Sequence, residues 1–301
     1  MPITGRESPG WNPKSRKRTV LDKVNPTDSV TKIFQEPTPT TISTMSLLKK
    51  IIPAFLSDRY FNIQNRLLNL ENSVRHLNTA IDTILVSPTY AASDDIGFNG
   101  QRQRKQIFTD IFQAIHLEAI LETGTWLGNT TGYMRATSGQ PVYSCELNPR
   151  FYALAKMRLA AFSEVYLELN DSRKFLQGRR ESALATKPVF FYLDAHWNSD
   201  LPLGEEMDLI GSCWKQFVIL IDDFQVPDDA GYYFDDYGPG KALKLELLAP
   251  AIKKYDLAVF FPTAKSSAET GGKCGCVVLA PRGEISQKLG RLSSLRAWPT
   301  H

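Results

Sequence analysis

The chain has 301 residues, of which 43% are hydrophobic and 22% charged, with a net charge of +3; this excludes a wholly disordered chain and suits one large domain with appendages or two small ones. Four scattered cysteines (Cys145, Cys213, Cys274, Cys276) are too few for a disulfide framework, and the Cys274-x-Cys276 pair lacks the second pair that a zinc site needs. No apolar run approaches the ~18 residues of a spanning helix, and the N-terminus has no signal-type apolar core, so the expectation is a cytoplasmic protein.

Residues 1–45 are rich in Pro, Ser and Thr and carry the basic run Lys14–Arg18. A nucleic-acid or import patch would use such a run. Little apolar material nearby could order it, so the expectation is a solvated tail without a nucleic-acid partner. Met45 opens a more ordered stretch and is a candidate alternative start. Leu47–Pro53 has the makings of a membrane-surface helix, which Pro53 weakens.

From Ile63 the apolar residues Leu67, Leu70, Val74, Leu77, Ile81 and Ile84 follow at alternating steps of four and three. That is a heptad seam. Residues 46–90 are therefore read as a helical, coiled-coil segment. Its seam, within residues 60–85, either pairs with a second copy or docks on the main domain.

Beyond Ser87-Pro88, residues 91–301 read as a domain of alternating strands and helices. Gln101–Ile115 is helical. Five apolar runs follow as strands: Ala119–Glu122, Val142–Glu146, Val165–Leu169, Val189–Asp194 and Phe217–Asp222, with helices over Arg150–Phe162 and Leu203–Trp214. Short apolar strands alternating with helices indicate a parallel sheet covered on both faces. Leu257–Phe261 and Cys276–Ala280 lie too close in sequence for a crossover helix, so they pair antiparallel.

In such a sheet, ligands sit beyond the carboxyl ends of the strands where the strand order reverses. The first strand ends at Glu122 and runs into Gly124-Thr125-Trp126-Leu127-Gly128, where glycines permit a tight turn and close approach. The second strand ends at Glu146, whose carboxylate can accept hydrogen bonds from both hydroxyls of a ribose. A dinucleotide fold also places an acid there. The loop separates the two, because pyrophosphate binding favours three glycines in G-x-G-x-x-G, whereas this loop has two glycines and a bulky Trp126. A cofactor without phosphates fits it better; a tight turn with a charged strand end is the plainer reading.

Ala119–Thr130 followed by Cys145-Glu-Leu-Asn-Pro149 resembles the cofactor half of class I S-adenosylmethionine (SAM)-dependent methyltransferases. Within them it is most similar to the metal-dependent O-methyltransferases of the catechol and macrolide-sugar type. The resemblance covers roughly residues 95–280 and is specific in the loop and strand ends. It implies a Rossmann-like α/β fold, with a mostly parallel seven-stranded sheet, a terminal antiparallel strand and helices on both faces. It further implies that the Gly124–Gly128 loop, with Gly124, Thr125 and Gly128, lies against the amino-acid part of SAM, that Glu122 joins the segment cradling the cofactor, that Glu146 holds the ribose, and that Asp171 and Ser172 flank the adenine.

Methyl transfer requires alignment and a deprotonated nucleophile. Asp194, Asp222 and Asp223 end the fourth and fifth strands on one edge of the sheet, and carboxylates so close favour an intervening cation such as Mg²⁺. Such an ion would lower the pKa of an acceptor hydroxyl. Helix caps or a solvated rim are the plainer roles for these aspartates. Tyr192–Trp197 and Ile221–Gln225 resemble the family's metal-binding segments. The family's catalytic lysine, three residues after the first metal aspartate, is here Trp197, so its mechanism does not carry over. His196 is the alternative general base, or else a wall of the site.

Two segments, Gly97–Gln101 and Val226–Lys241, are expected as lids around the mouth. The second combines acids with tyrosines, which suits a hydroxylated small molecule or a glycan as acceptor; Lys241 either meets an anionic group or starts the next helix. Three further readings stand beside this one: a metal-independent N- or O-methyltransferase, a non-catalytic coiled-coil oligomer that keeps a nucleotide pocket, and a nicotinamide oxidoreductase, which the loop and the closing strand pair disfavour.

Overall fold

The computed structural model describes residues 54–86, 94–196 and 200–299. The expectations for residues 1–45, Leu47–Pro53, Ser87-Pro88 and Trp197 fall outside them. The chain divides into two units between Thr83 and Ile84. Among the described residues, the helix α1 (Ala54–Val86) spans the end of the first and carries the heptad seam.

The second unit is α/β. Its first elements are a 3-10 turn (Asp94–Gly100), α2 (Arg102–Ala114), β1 (Ala119–Thr123), α3 (Asn129–Ser138), β2 (Val142–Glu146), α4 (Pro149–Arg158) and β3 (Val165–Leu169). There follow α5 (Ser172–Arg180), β4 (Val189–Leu193), α6 (Leu203–Cys213), β5 (Phe217–Ile221), α7 (Leu245–Lys254), β6 (Leu257–Pro262), β7 (Val277–Pro281), α8 (Glu284–Leu289) and β8 (Leu295–Trp298). The sheet order is β3-β2-β1-β4-β5-β7-β6-β8. The first five strands of that order are parallel, and β7 runs antiparallel to both β5 and β6, as the missing crossover helix required. An eighth strand, β8, adds antiparallel to β6 and exceeds the seven expected.

Strands β1, β4 and β5 are buried along their whole length, which is why they read as unbroken apolar runs. On one face Leu121, Phe191 and Ile219 pack with Phe175 of α5, Met207 of α6 and Leu248 of α7. On the other face Ile120, Phe190 and Val218 pack with Ile107, Phe108 and Ile111 of α2 and Met134 of α3. Aromatic contacts knit the second layer, with Phe108 edge-on to Phe190 and Phe98 edge-on to Tyr192, at centroid distances of 5.3 Å in each case. Local chemistry sets the helix starts. The Asn148 side chain accepts from the Arg150 N–H at 2.9 Å with Pro149 at the first helical position, and Asp171 caps α5.

Gly97–Gln101 is not a lid. Phe98 and Gln101 are fully buried, and a Cβ on Gly97 would come within 2.5 Å of Tyr133, so this turn belongs to the packed layer. Cys145 and Cys276 are buried, and both are free thiols. Among the described residues no helix is long and apolar enough to cross a membrane.

A charged pair is buried within the second layer. Arg104 of α2 forms an ion pair with Asp222, which follows β5, and both side chains are almost fully buried. Its guanidinium also donates to the carbonyls of Cys274 and of Gly275, the latter at 2.9 Å. Removing one partner of such a pair strands the other charge, a loss of about 3 kcal/mol or more. Arg104→Met should therefore lower the urea unfolding midpoint by that equivalent at pH 7.5. Adding Asp222→Asn, which removes the stranded charge, should recover a large part of it.

Candidate functional site

Strand β1 lies between β2 and β4, so the strand order reverses beside it, and a ligand crevice is expected at that reversal. The loop after β1 turns on Gly124 and Gly128, with φ of 87° and 76°. Gly124 has a second reason to be glycine: a Cβ there would sit 2.2 Å from the backbone oxygen of Asp194. The loop that follows β1 thus rests directly on the chain leaving β4. Trp126, also left-handed with φ of 48°, is more than one-third exposed.

Glu146 ties two loops together. One carboxylate oxygen accepts from the Trp126 N–H at 2.8 Å and the other from the Asn148 N–H at 2.8 Å. A carboxylate has about four lone-pair sites, so acceptor capacity remains for a ligand's hydroxyls. Burial raises the Glu146 pKa, and the Asn148, Trp126 and Leu147 N–H groups oppose that rise.

The other expected cofactor residues are placed less directly. Glu122 is buried beneath the loop, where it accepts from the hydroxyls of Thr131 at 2.5 Å and Ser144 at 2.6 Å. Ser144 in turn bonds the Thr125 hydroxyl at 2.6 Å. The Glu122–Thr125 part of the expectation is thereby a hydrogen-bonded support for the loop. Asp171 accepts from the Arg173 and Lys174 N–H groups at 3.0 and 3.4 Å, and pairs with the Arg173 guanidinium at 2.7 Å. The Arg173 side chain, more than any other influence, lowers its pKa. Ser172 is buried beside Glu206.

Glu206, missed in the sequence, is 1% exposed, and neither carboxylate oxygen has a hydrogen-bond partner in good geometry. Burial pushes its pKa up to about 7, while the neighbouring Ser172 and Thr123 hydroxyls pull the other way. Its signal was an acid on the apolar stripe Leu203, Met207, Ile210 of α6.

At the ends of β4 and β5, Asp194, His196 and Asp223 bring one ligand atom each within 4.8 Å of one another. Asp222 does not join them. It is turned into the core, where it meets Arg104 and accepts from the Tyr192 hydroxyl and from the Asp223 N–H, the latter at 2.7 Å. Successive residues leaving a strand point to opposite sides, so the two aspartates could not both face the site. Arg104 carried the signal for this, as a cation among Ile107, Phe108 and Ile111 on the buried face of α2.

His196 is 2% exposed and neither ring nitrogen has a hydrogen-bond partner; its Nε2 stands 3.9 Å from Asp194 Oδ1. Burial lowers its pKa against the pull of Asp223 and Asp235, which keeps the imidazole neutral near pH 7. Burial, together with the Asp223 and Glu122 carboxylates, drives the Asp194 pKa well above its usual range, although its side chain keeps 29% exposure. One oxygen of Asp223 is buried without a partner. Two carboxylates and an imidazole with unsatisfied lone pairs are a donor set that a divalent cation would complete.

The loop expected as a lid closes over this cluster from one side. The Asp235 N–H donates to the Asp223 carbonyl at 2.9 Å. The Tyr237 hydroxyl donates to the His196 carbonyl at 2.7 Å and bonds the Asp235 carboxylate. Tyr232 is buried and donates to the Ala264 carbonyl at 3.0 Å, whereas Tyr233 is 69% exposed. Lys241 closes a turn onto the Gly238 carbonyl, and the next helix starts later, at Leu245.

No family model and no curated protein matches the chain. It is similar to solved structures of methyltransferases. One is an O-methyltransferase from Bacillus cereus in complex with SAH, 15% identical over 60% of this chain and 80% of that one, at a TM-score of 0.41. Another is the O-methyltransferase TomG from Streptomyces achromogenes, involved in tomaymycin synthesis and in complex with SAM, with the same identity and coverage and a TM-score of 0.42. A putative caffeoyl-CoA O-methyltransferase from Staphylococcus aureus is 14% identical over 71% of this chain and 99% of that one, at 0.43. Likenesses at this level decide nothing about chemistry, which the site's own geometry must supply.

Burial holds the Glu122 pKa at about 7 against the Ser144 and Thr131 hydroxyls, with Glu146 adding to the rise. A folded-state pKa raised above 4.5 means that the native protein holds this proton more tightly than the unfolded chain. The contribution is therefore present below about 4.5 and lost as pH rises through about 7. Relative to Glu122→Gln, the native chain should lose roughly 3 kcal/mol of stability across that window. Paired urea titrations at pH 5, 6, 7 and 8 would read it, and parallel curves would refute it.

Proposed function

We propose that the chain is a SAM-dependent methyltransferase that methylates a hydroxylated small molecule or glycan beside a divalent cation held by Asp194, His196 and Asp223. One observation carries this reading. A glycine-turned loop with an acid at the neighbouring strand end adjoins a partly buried carboxylate–imidazole cluster, and the two meet where Gly124 rests on the Asp194 carbonyl.

The spare lone pairs of Glu146 would receive the ribose hydroxyls. The Gly124–Gly128 backbone would face the amino-acid end of the cofactor. Its two glycines offer no third for a pyrophosphate. A sulfonium would bring positive charge near Glu146, Asp194 and Asp223, which favours a cationic ligand over an anionic one.

A bound cation would lower the pKa of an acceptor hydroxyl and fix its direction. The neutral, buried imidazole of His196 would offer a lone pair to it, which makes His196 a ligand before a general base. An imidazole in the donor set suits Mn²⁺, Fe²⁺ or Zn²⁺ as well as Mg²⁺. Asp235 and Tyr237, bonded to the backbone of two of these residues, hold the cluster in place, while exposed Tyr233 stands on the same loop for contact with an acceptor.

Calorimetry should find binding of SAM and none of NAD; a chain that does not bind SAM is not this enzyme. Glu146→Gln should weaken SAM about tenfold or more, the loss of hydrogen bonds to a charged acceptor. Turnover of isotopically labelled methyl-SAM in an acceptor screen should vanish after EDTA and return with a divalent ion. Asp223→Asn and His196→Ala should prevent that return while still binding SAM in the absence of the ion. Full turnover in EDTA would remove the metal and restore His196 as the candidate base.

A further inference from the structure

The helix α1 carries a surface that the methyltransferase reading does not use. Placing the seam in a heptad puts Tyr60, Leu67 and Val74 at a positions and Ile63, Leu70 and Leu77 at d positions. All six side chains are between 43% and 62% exposed. In sequence the pattern continues to Ile81 at a and Ile84 at d. Over its 33 residues the helix runs about 50 Å. The six exposed residues span about 26 Å of that length, and an apolar stripe facing water marks an association surface.

We infer that this surface pairs with the same helix of a second copy, as a parallel, in-register, two-stranded coiled coil. Three features select that partner. First, the apolar period is 3.5 residues rather than 3.6, so the stripe stays continuous only when the helix winds around another helix. Second, the central layers set β-branched Val74 and Ile81 at a with Leu70 and Leu77 at d, the combination that favours two parallel strands, against the opposite preference of Leu67 at a with Ile63 at d.

Third, the flanking charges are complementary in only one orientation. Arg59 and Arg66 occupy g positions, and Glu71 occupies an e position. A parallel pair sets each g residue against the e residue five positions on in its partner. Arg66 then faces Glu71 of the second copy twice per dimer, and no like charges meet. An antiparallel pair sets g against g and e against e, so an arginine never faces the glutamate.

Light scattering or sedimentation of the full chain across about 1–50 μM, a range in which coiled-coil dimers of this length dissociate or hold, should give twice the 33.8 kDa chain mass. Leu70→Glu should give the chain mass with unchanged SAM affinity or, if SAM does not bind, an unchanged melting transition of residues 84–301. Arg66→Glu should raise the dimer dissociation constant about three- to tenfold, and Arg66→Glu with Glu71→Arg should bring it back. Leu70→Cys should cross-link to a disulfide dimer on mild oxidation, whereas the unsubstituted chain should not. A monomer at every concentration overturns the proposal, as does a dimer that Leu70→Glu leaves intact. A dimer that the charge swap does not restore and Leu70→Cys does not cross-link overturns the parallel arrangement. None of these readouts depends on methyl transfer.

Discussion

The buried pair of Arg104 and Asp222 decides how this site is built. Asp222 follows the last residue of β5, and its carboxylate turns into the layer beneath α2, where Arg104 neutralises it. Its neighbour must then face the other way. Asp223 does so in a left-handed conformation (φ 49°), held by its own N–H bonding back to Asp222. Aspartate is among the few residues with a side chain that adopt this region without severe strain. Meanwhile the arginine's other donors grip the carbonyls of Cys274 and Gly275, just before β7. One guanidinium thus fixes the end of a parallel strand, the entry to its antiparallel neighbour and the outward aspartate together.

Much of the architecture was legible, because strands buried on both faces must be apolar throughout. Val142–Glu146 and Val165–Leu169 appear with the bounds read from sequence, and Phe217–Asp222 ends one residue early. What the pattern could not convey was direction at a strand end. Asp222 and Asp223 are identical side chains, and only a cation far away in sequence tells them apart. That cation was visible as a charge on the apolar face of α2, as Glu206 was on α6. A charged residue on a buried stripe therefore marks an internal partner as much as a surface. The strand β8 escaped notice because Leu295–Trp298 is only four residues long and partly exposed at the sheet edge. Gly97–Gln101 was expected as a lid, but Phe98 anchors it among aromatic rings.

The site also stands out for the imbalance of its charges. Glu122, Glu206 and Asp194 all have pKa values raised chiefly by burial, while Arg104 is committed to Asp222. The opposing cations act from a distance, Arg173 on Glu206 and Arg104 on Asp194, and do not outweigh burial. On the function proposed above, a positively charged ligand would be favoured beside them.

The contact of Gly124 with the Asp194 carbonyl has a thermodynamic corollary. Because no side chain fits between them, a shift of the loop after β1 is a shift of the chain that carries Asp194 and His196. Two ligands that each set the position of one side then cannot bind independently. Whatever factor the first changes for the second, the second must change for the first. If cofactor and cation bind as proposed, the missing Cβ would make their two half-sites a linked pair, with saturation curves to be read together.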